Sequence, residues 1–331
     1  VYGYTVRKDE FPESITSWMK RRHTWEVDKE WISFSPGVVP ALNMCILAYS
    51  DPGDKVLIQP PVYFPFFRAI RDHKRELTEN ELVYQNGTYT IDFEDFELKA
   101  RDAKIFILCH PHNPVGRLWN REELSRMLEI CIKYKVLILS DEIHSDLILC
   151  DEKHIPLLSL PGADSITISM YAPSKTFNLA GLSTSYLIIP DRELKKTYDK
   201  MLDNLHIGLG NIFGFEAMQA AYRDGEPWLG QLIEYLRDNV DFLIDFMKEN
   251  IPRVKVIRPQ ATYLVWLDFR ELGMKRDALR EFVVQKAGLG LNDGPSFGAG
   301  GEGFQRINVA VPRSVLREAL EKLKSAILDS F

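Results

Sequence analysis

Short runs that are apolar at consecutive positions recur along the chain: KVLIQ (55–59), KIFILCH (104–110), VLILSDE (136–142), SITISMY (165–171) and STSYLIIP (183–190). Successive side chains of a strand point to opposite faces, so a run apolar on both alternations is covered on both sides, as in a parallel sheet. A Pro/Asn/Gly loop and the helical pattern REELSRMLEICIKY lie between the second and third runs. Strand–helix alternation predicts an α/β fold, a large domain over residues 1–225 with a mostly parallel mixed sheet flanked by helices. The texture changes after about residue 225. The amphipathic stretch EPWLGQLIEYLRDNVDFLIDFMKEN leads to VKVIRP, TYLVWLDF, a helical pattern near 275–287, a glycine-rich loop and the helical VLREALEKLKSAI. Residues 226–331 are therefore expected to form a smaller α+β C-terminal domain.

A length of 331 residues agrees with one large and one smaller domain. The net charge of −6 provides no basic footprint, which argues against nucleic acid and anionic membrane as partners. No apolar run approaches the ~18 residues of a membrane span. The four cysteines (Cys45, Cys109, Cys131, Cys150) show no CxxC spacing and read as reduced, mostly buried thiols of a cytoplasmic protein. The chain opens on VYGYTVRKDEF without an initiator Met, so it is expected to start inside a longer protein.

Ligands of doubly wound sheets bind outside the carboxyl ends of the strands. Three polar residues stand there: Asn113 after KIFILCH, Asp141 in VLILSDE with Glu142 and His144 close behind, and Lys175 after ITISMYAPS. Taken singly they read as a turn Asn, a helix N-cap Asp and a snorkelling Lys. Taken together they fit pyridoxal phosphate, which needs an amine for a Schiff base, a carboxylate to keep its ring nitrogen protonated and a donor to its phenolic oxygen. Apolar neighbours (Met170, Tyr171, Pro173, Phe177) would favour a partly neutral lysine amine. GVVPAL reads as a loop entering a helix, whose free N–H groups favour anions, so the Val38 and Val39 amides are phosphate candidates with the Ser174 hydroxyl.

NPVG, SDEIHSD and APSKTFNLAG, in this order, resemble fold-type I pyridoxal-phosphate enzymes of the aminotransferase class, and within it the cystathionine β-lyase and cystalysin group of C–S lyases. GVVPAL, PPVYFPFF, TYLVWLDFR and FQRINVAVP extend the likeness essentially end to end. The resemblance implies that Lys175 holds the cofactor and then acts as the base on Cα. It further implies that Asp141 pairs with the pyridine nitrogen, Asn113 bonds the phenolic oxygen and His144 replaces a tyrosine common in aminotransferases. Tyr63 would stack on the ring, and Arg306 would bind the substrate α-carboxylate as a bidentate pair, a task that suits guanidinium better than ammonium. Tyr4 would reach the phosphate of a neighbouring subunit, which implies a homodimer with shared sites. Two departures stand out. Ser183 occupies the place of an arginine found eight residues after the lysine in many members, and members carry a further segment before the equivalent of VYGYT, at which the sequence here begins.

GAGGEG (298–303) formally matches GxGxxG but leads into the strand-like FQRINVA rather than a helix, so it reads as a flexible loop before Arg306. His110, His112 and His144 show no metal-binding spacing on a helix. The implied reaction is β-elimination from cystathionine or cysteine-type substrates, giving a thiol such as homocysteine, pyruvate and ammonia. Transamination between an amino acid and a 2-oxo acid shares the cofactor chemistry and stays open, as does a role mainly as a regulatory binding partner.

Overall fold

The five apolar runs become the five central strands of one sheet. The computed structural model describes residues 7–330, and its strands fall into three sheets. The main sheet takes β1 (Ile32–Ser35), β2 (Lys55–Ile58) and β3 (Glu76–Glu79). A hairpin of β4 (Val83–Gln85) and β5 (Thr88–Thr90) follows. The main sheet then resumes with β6 (Ala103–Cys109), β7 (Leu137–Asp141), β8 (Thr167–Tyr171) and β9 (Ser185–Ile188). The C-terminal sheet holds β10 (Lys255–Ile257), β11 (Leu264–Asp268), β12 (Asn292–Asp293) and β13 (Phe304–Asn308).

The main sheet runs β1-β9-β8-β7-β6-β2-β3. Its pairings are parallel from β8 across to β3, and β9 alone runs against both its neighbours. The edge strand β3 (ELTE) has no apolar signature because an edge strand need not be covered on both faces, and none of its side chains is fully buried. By contrast, β1 (ISFS) is buried at Ser33, Phe34 and Ser35, with its two serine hydroxyls bonded to Asp199 and the Gly37 carbonyl. The helix Arg121–Tyr134 begins with a capping box between Asn120 and Glu123 and ends at Lys135 in the left-handed region. Its stripe of Leu124, Met127, Leu128 and Cys131 is buried against the sheet core. Burying each large side chain of that kind stabilises by roughly 1.5–3 kcal/mol.

Two apolar clusters form. The 25-residue helix Glu226–Asn250 supplies Leu229, Ile233 and Leu236 to the first and Val240, Leu243, Phe246 and Met247 to the second. Strand β11 alternates in the same sense, with Trp266 in the first cluster and Val265 and Leu267 in the second. The helical pattern near 275–287 becomes a short α-helix, Arg276–Glu281, that widens into a π-helical stretch, Phe282–Lys286.

Glycines fix two close approaches. Gly116 has φ +71°, and a Cβ there would lie 2.5 Å from Pro259 Cβ. Its carbonyl accepts from the amides of Gln260 (2.8 Å) and Ala261 (3.2 Å), so the loop carrying Asn113 is pinned to the C-terminal part. GAGGEG, expected as a flexible loop, is instead a packed turn: Gly298 lies against Phe67 and Gly303 against Arg270 at distances that admit no side chain. All four cysteines are free, three of them buried. Among the described residues no helix is long and apolar enough to cross a membrane.

Candidate active site

Strand ends β6, β7 and β8 deliver their polar residues to one cavity of about 430 Å³. Asn113, Asp141, His144, Ser174 and Lys175 line it from this side, Val38, Val39 and Tyr63 close it from the flanking loops, and Arg306 reaches it from β13. Every sequence-derived site residue within the described range therefore meets the same space. Tyr4 lies outside the described residues.

Asp141 is the last residue of β7 and is buried. Its Oδ1 accepts from the Ile143 amide at 3.2 Å, and none of the described ion pairs includes it. Burial pushes its carboxyl up to about 7, against the opposing pull of that amide and of the Lys175 charge. Glu142, one residue on, turns away into the protein. Its carboxylate accepts from Ser140 (2.9 Å), Ser169 (2.8 Å), Tyr171 (2.6 Å) and His154 (2.7 Å), which anchors the strand end on which Asp141 sits.

Lys175 lies on the four-residue helix Pro173–Thr176. Met170, Tyr171 and Pro173 are buried as the sequence predicts, but Lys175 is only half-buried because it opens on the cavity. Arg306 is buried, with Nη1 donating to Asn113 Oδ1 (2.7 Å) and Nη2 to Asn292 Oδ1 (2.8 Å). Its guanidinium lies 4.7 Å from the Phe297 ring centroid, and its Nε has no hydrogen-bond partner. Both oxygen partners are neutral amides, so no carboxylate among the described residues cancels its charge. Burial brings its pKa down to about 10, with Tyr63 and Tyr263 acting in the opposite direction.

The helix Val38–Tyr49 has Gly37 at its N-cap and no side-chain cap. Its first-turn amides at Val38 and Val39 stay free, whereas Pro40 has none to offer. Tyr63 stands half-buried between the Phe64 and Phe66 rings, its phenol raised by burial and by the nearby Asp141. The His144 ring meets Tyr263 edge-on, and its Nδ1 is without a partner. Sequence reasoning missed Tyr263, Asn292, Asn308 and Thr184 as cavity residues. Tyr263 and Asn308 lie within TYLVWLDFR and FQRINVAVP but were given no role there, and no motif marks Asn292 or Thr184, although Asn292 could have been sought as a second partner for a buried arginine. Ser183, known from sequence only as the place of a missing arginine, also faces the cavity.

The buried histidines predict a loss of stability in acid. Burial lowers His110 and His144 to about 3 and His112 to about 4, the charge of His154 adding to the effect at His110 and those of Lys175 and Arg306 at His144; His154 lies well below its ordinary value. The unfolded chain takes up these protons near pH ~6.5. Between about pH 6.5 and 4 it therefore binds more protons at four histidines, whereas the raised Asp141 reverses the balance at one carboxyl. Histidine decides the sign. The thermal midpoint of the cofactor-free protein should fall steadily as pH drops below about 6.5, and a flat profile down to pH 4 would contradict these assignments.

The aminotransferase class I and II family model matches residues 1–323. The chain is 42% identical over 331 residues to cystathionine β-lyase PatB of Bacillus subtilis, with 99% of this chain and 85% of that protein covered. The crystal structure of cystalysin from Treponema denticola, which contains a pyridoxal 5′-phosphate cofactor, superposes with TM-score 0.97 at 38% identity, covering 99% of this chain and 84% of that one. The pyridoxal-phosphate-bound C–S lyase from Staphylococcus hominis gives TM-score 0.93 at 35% identity, over 99% of this chain and 84% of that one. The fold is that of the fold-type I pyridoxal-phosphate transferases, and the chain belongs to the aminotransferase class I and II family.

Proposed function

We propose that this chain is a pyridoxal 5′-phosphate-dependent carbon–sulfur β-lyase that cleaves cystathionine or cysteine-type substrates to a thiol, pyruvate and ammonia. The observation that carries the reading is a buried carboxylate, Asp141, which lacks a cationic hydrogen-bond partner and shares one cavity with Lys175 and Arg306. The orphaned His144 Nδ1 and the uncapped amides of Val38 and Val39 fit the same bound group. The relatives named as C–S lyases favour elimination over transamination.

When bound, pyridoxal phosphate supplies an electron sink for negative charge at the substrate Cα. Asp141, once ionised beside a cationic partner, would keep the pyridine nitrogen protonated. The Asn113 side-chain NH2 donates to the phenolic oxygen while its Oδ1 remains on Arg306. Tyr63 and His144 would hold the ring of the group, and the Val38 and Val39 amides with the Ser174 hydroxyl would receive its phosphate. Ser183 offers a hydroxyl where an arginine would add charge, so the helix N-terminus and backbone donors supply most of the phosphate binding. Arg306 would bind the α-carboxylate through guanidinium N–H groups that Asn113 and Asn292 leave free. The Lys175 amine would hold the cofactor and would serve as the base that takes the Cα proton.

The enzyme acts in the cytoplasm as a homodimer with shared sites, to which Tyr4 contributes on the strength of the family resemblance. A large domain over 1–225 and a small one over 226–331 form each subunit.

Incubating the protein with pyridoxal phosphate and L-cystathionine should release pyruvate over many turnovers, followed by coupled reduction to lactate. Absence of pyruvate, with amino-group transfer to an added 2-oxo acid, would assign the site to transamination instead.

A further inference from the structure

Asp141 and Asp146 leave β7 in one loop, SDEIHSD, but do opposite things. Asp141 faces the cavity; Asp146 is buried behind it and does not line the cavity. Asp146 Oδ2 accepts from Thr176 Oγ1 at 2.9 Å, and Thr176 directly follows Lys175. Asp146 Oδ1 accepts from His23 Nε2 at 3.1 Å, with Arg22 Nε 3.8 Å away. Arg22 Nη2 also donates to the Asp146 carbonyl at 2.9 Å. Arg22 and His23 end the helix Glu10–His23, whose last turn is basic.

We propose that Asp146 is a positioning residue that clamps the Lys175 turn, through Thr176, to the loop bearing Asp141. This inference rests on the reading of Lys175 as the cofactor-binding amine. The physical need is clear from the helix itself. A helix of four residues has almost no cooperativity of its own and takes its pose from tertiary contacts. Thr176 is fully buried, and its hydroxyl makes its one described side-chain hydrogen bond to Asp146. Burial would raise the Asp146 carboxyl, but the hydrogen bond and charge of His23, the Arg22 charge and the Thr176 hydroxyl together hold it below its ordinary value. The clamp is thus a hydrogen bond from a buried hydroxyl to a carboxylate that His23 and Arg22 also hold. One loop then fixes both the amine that carries the cofactor and the acid across its ring.

Thr176→Val removes the hydroxyl at nearly constant volume and leaves the Asp146 contacts to Arg22 and His23 in place; Thr176→Ser restores the hydroxyl. In the holoenzyme, Thr176→Val should lower kcat for L-cystathionine by about 10–100-fold, the scale of a misplaced reacting group. KM, set by Arg306, should stay within about twofold, and Thr176→Ser should recover most of the loss. Adding Thr176→Val to Asp146→Ala should lower kcat no further than Asp146→Ala alone. A second readout needs no turnover: pyridoxal phosphate added to the cofactor-free protein, with borohydride trapping and mass analysis of the Lys175 peptide, reports how fast the amine captures the aldehyde. Slower capture in Thr176→Val but not in Thr176→Ser supports the clamp even if wild type fails to release pyruvate. Wild-type kcat and capture in Thr176→Val, equal impairment in Thr176→Ser, or full additivity with Asp146→Ala would each overturn it.

Discussion

Lys175→Ala is expected to lose β-elimination of L-cystathionine by about 10⁴-fold, the upper range for removing a positioned proton-transfer group. Two tasks fall on this one amine in the proposed mechanism. It anchors the cofactor and it takes the Cα proton, and among the cavity-lining residues no second lysine could substitute for it. Arg306 stays protonated at neutral pH despite its lowered pKa, so it cannot take over as base. His144, already neutral at working pH, is the one other nitrogen base facing the cavity. The measurement is kcat/KM by pyruvate release, paired with mass analysis of the borohydride-reduced protein. Wild type should carry one reduced cofactor on the peptide containing Lys175, and the variant none. Activity within tenfold of wild type would remove Lys175 from the mechanism.

Asp141→Asn should be the next largest loss, about 10²–10³-fold in kcat, on the scale of deleting one preorganised electrostatic partner of the reacting system. The substitution keeps size and hydrogen-bonding capacity but removes the charge. In the cofactor-free protein the acid sits near neutrality because burial penalises its anion. A cationic ring nitrogen reverses that penalty, so the charged pair forms only when the site is filled. Asparagine cannot hold the ring proton in this way, although it fits the space. KM should change little, because the α-carboxylate contact belongs to Arg306. A variant with wild-type kcat would show that the carboxylate charge plays no part.

The central strands and the polar residues at their carboxyl ends were readable because two different physical signals coincide. Doubly apolar runs mark buried parallel strands, and the residues that follow them fall at one end of the sheet. Strand β3 escaped because an edge strand can be polar without penalty, and β1 because two of its buried residues are serines whose hydroxyls find partners only in the fold. Tyr263, Asn292 and Asn308 escaped because they come from the C-terminal sheet, whose approach to the first cavity wall is a matter of tertiary packing. Arg306 was found there through family likeness, since no local pattern separates it from a surface arginine. The half-exposure of Lys175 also lay beyond sequence: apolar neighbours in the chain say that a turn is buried, not which way one long side chain leaves it. Glu142 and Asp146 were visible only as acids beside the motif, and their partners are separated from them by up to 124 positions.

The helix Glu226–Asn250 belongs to both apolar clusters, and β11 has a face on each. Heat or denaturant therefore meets no seam at which one half could come apart while the other stayed whole. Melting the C-terminal half would strip Trp266, Leu229 and Leu236 from the other, so a calorimeter should record a single peak, with loss of the arginine end of the cavity and loss of the lysine end occurring as one event.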